Sequence, residues 1–265
     1  MAATEPLKIA GVIFDLDGTL IDYETVSHIC LERPLVEKGF IDSLSWRVHG
    51  SIVGMPNIGW SRNIIKQYNI SEEQYSWEKY VEDYKQVLPE VVDQIEPWPE
   101  VEKVLDYFKN ELKVPIAIAT SSDRKCFEAK MSQPVMQEKI MKYFGSFDES
   151  LSPTERAMRS VMDTSCIVTG EEVTRGKPHP DIFKLAAERI GVDPSRCLIF
   201  EDSPHGIRGA QAAGCCTVAL PDSRMLSATA PLFEELEQTP TWILPNGIGS
   251  FLDEVVAKGL IVKDS

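Results

Sequence analysis

Six short apolar runs recur along the chain, and they predict six strands of a parallel sheet. Each run is four to six residues long, rich in β-branched residues, and uniformly apolar rather than alternating. This pattern is typical of strands that are buried on both faces of a parallel sheet. The runs are 9–14, 115–120, 166–170, 196–200, 216–220 and 241–245.

Helical patterns separate these runs from about residue 97 onward. Apolar residues recur every three or four positions in 100–112, 180–192 and 204–214. The last of these ends at Gly214, a residue type that often caps a helix C-terminus. Strands that alternate with helices in this way indicate an α/β fold with a doubly wound (Rossmann-like) parallel sheet.

Residues 21–95 interrupt this alternation. They contain helical patterns and turn signals such as "GMPNIG", but no convincing strand. We therefore predict an α/β core formed by residues 1–20 and 96–265, with an α-helical domain at 21–95 inserted after the first strand. Residues 130–165 are polar and rich in methionine, and we expect them to form an irregular, partly helical excursion.

Composition narrows the classes of function. A length of 265 residues suits one large domain, or one domain with a smaller companion, and the net charge of −14 argues against binding to nucleic acid or to anionic membranes. No apolar run is long enough to span a membrane, and the six cysteines show no metal-binding spacing. We expect a cytoplasmic protein with reduced thiols, present as a monomer or weak dimer.

The first run ends in two carboxylates, Asp15 and Asp17, and Gly18 follows them. Side chains two residues apart on a strand point the same way, and ligand sites in open α/β sheets lie at the carboxyl ends of strands. Two carboxylates there would repel each other unless a cation lies between them or one of them stays protonated. The alternative is a turn that carries two solvated aspartates.

Further polar groups follow other predicted strands. Hydroxyl residues end the second run, a lysine precedes a predicted helix, and two acids follow the fourth run. These groups are Thr120 with Ser121 and Ser122, then Lys177, then Glu201 with Asp202. Taken singly, each can be explained as a helix cap or a solvated charge. Their joint occurrence at strand ends and in a strand–helix loop favours a functional site.

Four segments resemble, in chain order, the four motifs of the haloacid dehalogenase-like hydrolase superfamily. They read "FDLDGTL", "IATSS", "GKPHPDIF" and "FEDSPHGI", and the helical stretch at 21–95 looks like the α-helical cap of that superfamily. The short sequence strings are most similar to those of the pseudouridine-5′-phosphatase and glycerol-3-phosphatase branch, and "LPDSR" at 220–224 is one of the similar strings.

The resemblance implies a Mg²⁺-dependent phosphatase that acts on a small phosphate ester. Asp15 would be the nucleophile that forms an aspartyl-phosphate, and Asp17 would be the general acid and then the general base. Mg²⁺ would lie between the Asp15 carboxylate, the Asp17 backbone carbonyl and Asp202. Glu201 would either join the metal or hold a water, and the resemblance does not choose between these roles.

The remaining motif residues would bind the phosphate. Thr120 and the backbone N–H of Ser121 would hold phosphate oxygens, while Lys177 would neutralise both the phosphate and Asp15. Within this resemblance, an acid at position 17 argues against a dehalogenase, because only a leaving alcohol needs the proton that Asp17 would supply. A sugar phosphomutase of the β-phosphoglucomutase type is the alternative enzyme, and a non-catalytic binding protein on the same fold is the alternative outside enzymes.

The resemblance implies that the helical stretch determines which substrate is bound. The sequence does not decide among sugar, polyol and nucleoside phosphates. Related phosphatases often carry a basic or polar pair where this chain has Met55 and Pro56, so neither substrate of the similar branch can be carried over. Glu24 and His28 are candidates to face the cleft. Trp60 and Arg62 are further candidates, although Trp60 is more often core in such a position.

Overall fold

A six-stranded parallel sheet forms the centre of this computed structural model, which describes residues 5–53, 55, 57–144 and 166–264. The strand order is β4-β3-β2-β5-β6-β7, and every adjacent pair is parallel. The strands of this sheet are β2 (Gly11–Phe14), β3 (Ile116–Ala119), β4 (Ile167–Val168), β5 (Cys197–Glu201), β6 (Cys216–Ala219) and β7 (Trp242–Ile243). Each of them falls within one of the predicted apolar runs or extends it by one residue.

The run at 9–14 is not one strand as predicted. β1 (Leu7–Ile9) pairs with β8 (Ile261–Lys263) in a separate two-stranded sheet, and the chain bends at Ala10 before β2 begins. The cause lies in the hydrogen bonds on either side of the bend. The carbonyl of Ile9 accepts from the N–H of Asp264 (2.7 Å), whereas the N–H of Ala10 donates to Arg196 (2.8 Å). Neighbouring residues therefore pair with different segments.

Ten α-helices are described, and they cover both faces of the sheet and the inserted stretch. They are α1 (Tyr23–Glu37), α2 (Trp46–Gly50), α3 (Asn57–Gln67), α4 (Trp77–Val91), α5 (Val101–Asp106), α6 (Arg124–Met131), α7 (Pro134–Lys139), α8 (Asp181–Arg189), α9 (Pro204–Ala212) and α10 (Leu226–Glu234). None of the described helices is both long and apolar enough to cross a membrane. A π-helix, Tyr107–Glu111, continues α5.

Alternate residues of the central strands pack into two different cores, as a doubly wound sheet requires. On one face the ring of Phe14 stacks on that of Phe200, with centroids 4.9 Å apart. On the other face Ile13 and Ile199 pack with Phe183 of α8. Both β2 and β5 are buried along their whole length, which explains the absence of alternation in their sequences.

Helices α1 to α4 all lie within the predicted insertion and have a core of their own. Trp60, Ile64 and Tyr80 are buried in it, and the Tyr80 hydroxyl donates to the carbonyl of Leu31 (2.7 Å). Trp60 thus contributes to the helical core, and its ring contacts that of Tyr80.

Two short crossings connect the helical stretch to the sheet, and they lie side by side. Ile21 and Pro97 form an antiparallel bridge between the outgoing and returning chain. Two backbone hydrogen bonds flank it, from Asp22 N–H to the carbonyl of Glu96 (2.8 Å) and from Trp98 N–H to the carbonyl of Leu20 (3.0 Å).

The predicted excursion at 130–165 is described only up to residue 144, and residues 145–165 lie outside the described ranges. The described part is mostly helical: it holds the end of α6, then α7, then a 3₁₀ turn at Met141–Tyr143. Met131, Met136 and Met141 are fully buried there. The methionine-rich composition of this part therefore reflects core packing.

Candidate active site

Asp15 and Asp17 follow the central strand at the carboxyl edge of the sheet. The N–H of Asp15 still donates to the carbonyl of Phe200 (2.9 Å), so the strand delivers Asp15 between β3 and β5. The chain then turns at Gly18, whose φ of +83° is a conformation that residues with a Cβ rarely adopt. Asp15 is buried, as expected for a residue that leaves the middle of a sheet.

Lys177 lies between two carboxylates from different strands. Its Nζ is 2.5 Å from Oδ1 of Asp15 and 2.8 Å from Oε2 of Glu201, and all three side chains are buried. The second oxygen of Glu201 accepts from the N–H (3.2 Å) and the hydroxyl (2.6 Å) of Ser203. Burial lowers the pKa of Lys177, but the charges of Asp15 and Glu201 outweigh it and hold that pKa above its ordinary value.

Three buried acids converge beside this lysine. Carboxylate oxygens of Asp15, Glu201 and Asp202 all lie within 4.8 Å of one another. Burial first, and the charge of Glu201 next, raise the pKa of Asp15 to about 8, although Lys177 opposes the shift. The same two causes hold the pKa of Asp202 well above its ordinary value. One lysine is thus too little positive charge for three ionised carboxylates.

The chemistry of these donors fits a hard divalent cation. Mg²⁺ prefers carboxylate and carbonyl oxygens, and its charge would remove the repulsion that raises both pKa values. Asp202 is the acid best suited to bind it directly. No side chain of the described ranges donates a hydrogen bond to its carboxylate, whereas Glu201 already accepts from Lys177 and Ser203.

Two glycines let the backbone approach the acids closely. A Cβ at Gly18 would lie 2.3 Å from Oδ2 of Asp202, and one at Gly206 would lie 2.0 Å from the carboxyl carbon of Glu201. Any side chain at either position would displace an acid of the cluster. The glycines in "DGT" and "SPHGI" therefore shape the site directly.

The Asp17 carboxylate is held by two residues outside the acid cluster. Its Oδ2 accepts from the hydroxyl of Ser122 (2.9 Å), and its Oδ1 accepts from Nζ of Lys130 (2.7 Å). Lys130 belongs to none of the sequence motifs. The available signal was its place on the buried stripe of α6 with Phe127 and Met131, where a lysine is unusual.

The hydroxyl segment after β3 lies next to Asp17. Thr120 is buried, and its Oγ1 accepts from the N–H of Ser122 (3.1 Å). Ser121 is exposed, and its backbone lies close to Gly170. A Cβ on Gly170 would be 2.4 Å from the carbonyl oxygen of Ser121. The structure therefore brings Thr120 and Ser121 to the same sheet edge as Asp15, Asp17 and Lys177.

A cavity of about 150 Å³ lies between the helices of the inserted stretch. Its polar lining includes Glu24, His49, Asn57 and Tyr84, and Oε2 of Glu24 is 2.8 Å from Nε2 of His49. The charge of Glu24 also contributes to raising the pKa of Asp202, after burial, Glu201 and Asp15. Nothing in the sequence pattern had indicated His49.

The other candidates of the helical stretch are placed differently. His28 stacks on Trp46, with centroids 4.1 Å apart, and its Nδ1 is 3.1 Å from Nδ1 of His49. Arg62 is half exposed and pairs with Glu72. Met55 lines the cavity, whereas residue 56 lies outside the described ranges.

The model of a family described as "haloacid dehalogenase-like hydrolase" matches residues 9–214. The chain belongs to this family. The matched segment contains the strand that delivers Asp15, the lysine at 177 and the acids at 201 and 202, in the order that the resemblance implied.

Relatives of similar length are named as phosphatases. A probable pseudouridine-5′-phosphatase of Drosophila melanogaster is 30% identical over 220 residues, which are 82% of this chain and 84% of the relative. A fructose-1-phosphate phosphatase of Escherichia coli is 28% identical over 83% of this chain and 98% of its own.

Solved structures share the fold. A hydrolase of the same superfamily from Deinococcus radiodurans, described with bound phosphate and sodium, superposes with a TM-score of 0.67 at 20% identity. The match covers 97% of this chain and all of the other. At this identity the likeness concerns the fold.

Proposed function

We propose that this protein is a Mg²⁺-dependent phosphatase that hydrolyses a small phosphorylated metabolite, a sugar, polyol or nucleoside phosphate, through an aspartyl-phosphate on Asp15. Its relatives are phosphoric monoester hydrolases by name, and the chain has the same enzyme class. The observation that carries the proposal is the position of Lys177, buried between Asp15 and Glu201, with Asp202 completing the acid cluster.

The cation would be held by Asp15, Asp202 and the backbone carbonyl of Asp17, with Glu201 fixing Lys177 from the other side. Bound Mg²⁺ supplies positive charge that lets an anionic nucleophile meet an anionic phosphate. Lys177 adds a second positive charge next to the nucleophile. Thr120 and the N–H of Ser121 would hold the phosphate oxygens from the neighbouring strand end.

Two displacements at phosphorus follow from this arrangement. In the first, an Asp15 oxygen bonds to phosphorus, the bond from phosphorus to the leaving oxygen breaks, and Asp17 gives that oxygen a proton. In the second, a water bonds to phosphorus, the bond to Asp15 breaks, and Asp17 takes a proton from the water. Inorganic phosphate leaves, and both aspartates return to their starting states.

The cavity favours an uncharged leaving group with hydroxyls. Residues 21–95 would act as a cap over the site. The polar groups that line their cavity include Glu24, His49, the amide of Asn57 and the phenol of Tyr84. Its described lining includes no lysine or arginine, so a leaving group with a carboxylate would meet Glu24 without a counter-charge. A cavity of about 150 Å³ holds a benzene-sized ring. A short polyol or a single sugar ring would therefore fit.

A panel of phosphate esters assayed with Mg²⁺ tests both the reaction and the substrate class. We expect phosphate release from fructose 1-phosphate or glycerol 3-phosphate, and at least about tenfold lower kcat/KM for phosphoglycolate, whose leaving group is anionic. Release of phosphate separates hydrolysis from a mutase, which would isomerise a sugar phosphate without net release. Equal rates on phosphoglycolate would contradict the role given to the cavity.

Substitution of the nucleophile tests the mechanism. Asp15→Asn should abolish turnover of p-nitrophenyl phosphate, while Lys184→Met, an exposed lysine on α8, should leave it unchanged. Full activity of Asp15→Asn would overturn the assignment of Asp15. A correctly folded wild type that releases phosphate from no ester in the presence of Mg²⁺ would favour a binding protein on this fold.

A further inference from the structure

Lys130 is a buried lysine that belongs to none of the four motifs. Its side chain is 3% exposed, and its Nζ donates to Oδ1 of Asp17 (2.7 Å) and to the hydroxyl of Ser122 (3.0 Å). On its other side the ammonium lies 3.5 Å from the centre of the Tyr23 ring. Tyr23 is the first residue of α1, so Lys130 lies between the core and the helical stretch.

These contacts account for the whole ammonium group. A lysine has three N–H donors, of which two are used on Asp17 and Ser122, and the aromatic face attracts the remaining positive charge. A buried ammonium without such partners would be strongly unfavourable. Its position is therefore fixed by the three groups together.

The same contacts fix the orientation of Asp17. A carboxylate can accept about four hydrogen bonds, and Lys130 and Ser122 use one on each oxygen. The remaining lone pairs stay available, and the side chain keeps 20% of its surface exposed. Two donors on opposite oxygens stop the carboxylate from rotating while leaving room for a water or a leaving oxygen.

We propose that Lys130 is a positioning residue that holds the Asp17 carboxylate in its working orientation, and that Tyr23 of the helical stretch keeps Lys130 in place. This inference rests on the proposed function, in which Asp17 takes a proton from the water that attacks the aspartyl-phosphate. A carboxylate free to rotate would meet that water less often, since general-base catalysis depends on hydrogen-bond geometry.

The two chemical steps should respond differently when Lys130 is removed. p-Nitrophenolate leaves as a stable anion, so phosphoryl transfer from p-nitrophenyl phosphate to Asp15 needs no proton from Asp17. Hydrolysis of the aspartyl-phosphate does need Asp17, because the attacking water must lose a proton. Loss of positioning therefore slows the second step selectively.

Stopped-flow measurement with p-nitrophenyl phosphate separates these steps. We expect Lys130→Met to leave the rate constant of the p-nitrophenol burst within about threefold of wild type and to lower the rate constant of phosphoenzyme hydrolysis by about 10–100-fold. Phosphoenzyme should accumulate toward one equivalent per site. Lys125→Met, an exposed lysine on the same helix, should behave like wild type.

A second pair of variants tests the same idea without touching the buried charge. Tyr23→Leu removes the ring under Lys130 and should also slow hydrolysis selectively, whereas Tyr23→Phe keeps the ring and should slow it far less. If Lys130→Met does not fold, this pair decides the matter, because an equal response of the two variants would contradict the role of the ring.

Equal slowing of both steps by Lys130→Met would show a merely structural contribution and overturn the inference, as would an unchanged hydrolysis rate. These results are distinct from failure of the proposed function. A wild type that forms no phosphoenzyme would contradict the function itself, while an active wild type with an unaltered ratio of steps in the variants would contradict only the role of Lys130.

Discussion

Asp22 and Arg224 form a bidentate ion pair although 202 residues separate them in the chain. Nη2 of Arg224 is 2.8 Å from Oδ1 of Asp22, and Nη1 is 3.1 Å from Oδ2. The guanidinium also lies over the ring of Trp46 in α2, 4.7 Å from its centre. Asp22 caps α1, so this pair joins the loop after β6 to the start of the helical stretch.

Arg224→Lys should weaken this junction, because an ammonium lacks the planar fork of N–H donors that matches both oxygens of Asp22, and it stacks less well on Trp46. We expect the free energy of unfolding to fall by about 1–3 kcal/mol in urea titrations. Arg62→Lys is the matched control, since Arg62 is exposed and pairs once with Glu72; its cost should stay below about 0.5 kcal/mol. Equal costs would mean that the Arg224 pair stabilises no more than a surface contact.

Gly18→Ala should disable the active site, and a second glycine provides the control. Both Gly18 and Gly39 have positive φ, +83° and +72°, but only Gly18 faces Asp202, and nothing lies within 4 Å of a Cβ at Gly39. Gly39→Ala should cost about 1 kcal/mol of stability and leave kcat unchanged. Gly18→Ala should displace Asp202 and lower kcat by about 10²-fold. Similar kcat values in the two variants would contradict the role given to the close approach between Gly18 and Asp202.

Asp202→Asn should weaken cation binding. Mg²⁺ should raise the Tm of the wild type, since binding to the native state at 100 times Kd stabilises by about 2.7 kcal/mol. The variant should lose most of this shift, while Glu188→Gln, an exposed acid on α8, should keep it. An undiminished shift in Asp202→Asn would place the cation elsewhere.

The same variant has an opposite effect without metal. The pKa of Asp202 is raised in the folded protein, so its ionisation destabilises the fold as pH rises above the ordinary value of an aspartate. In EDTA at pH 8, Asp202→Asn should therefore be at least as stable as the wild type, with the advantage shrinking toward pH 4. Lower stability of the variant at pH 8 would contradict the repulsion argument.

Glu172 should make part of the stability depend on acid pH. Burial alone would raise its pKa, but the Arg189 guanidinium, together with Thr169, lowers it from 4.5 to about 2. A depressed pKa stabilises the fold above the unfolded value, and this contribution is lost as pH falls from about 4.5 to 2. Relative to Glu172→Gln, the wild type should gain on the order of 2 kcal/mol at pH 6 and little at pH 2, in urea titrations across that range. A constant difference would contradict the depressed pKa.

Local patterns predicted the sheet well because its central strands are short, buried and separated by helices. The run that ends at Phe14 and the run that ends at Phe200 each delivered acids to the same edge, as parallel strands must. The bend at Ala10 and the strand Ile261–Lys263 were missed. Their pairing depends on hydrogen bonds between the two ends of the chain, and β8 is largely exposed.

The site could be predicted mainly where its residues follow strands or lie in a loop before a helix. Lys177, Glu201 and Asp202 were found because their motifs occur at strand ends or in the loop before a helix. Lys130 and His49 were not found, since each lies inside a helix and contacts a residue that is distant in the chain. Lys130 contacts Asp17, 113 residues away, and His49 contacts Glu24, 25 residues away. No local pattern records such a pairing.

The bridge between Ile21 and Pro97 has a consequence for how such proteins can change. Because the outgoing and returning chains lie side by side, a short turn could replace everything between them without rerouting any strand of the sheet. The helical stretch thus leaves and re-enters the core at one place, although Tyr23 and Trp46 also contact Lys130 and Arg224 of the core. Under the proposed function, the length and lining of this stretch can therefore vary while the acids and the lysine of the core keep their positions, and the substrate can change without a change in the chemistry.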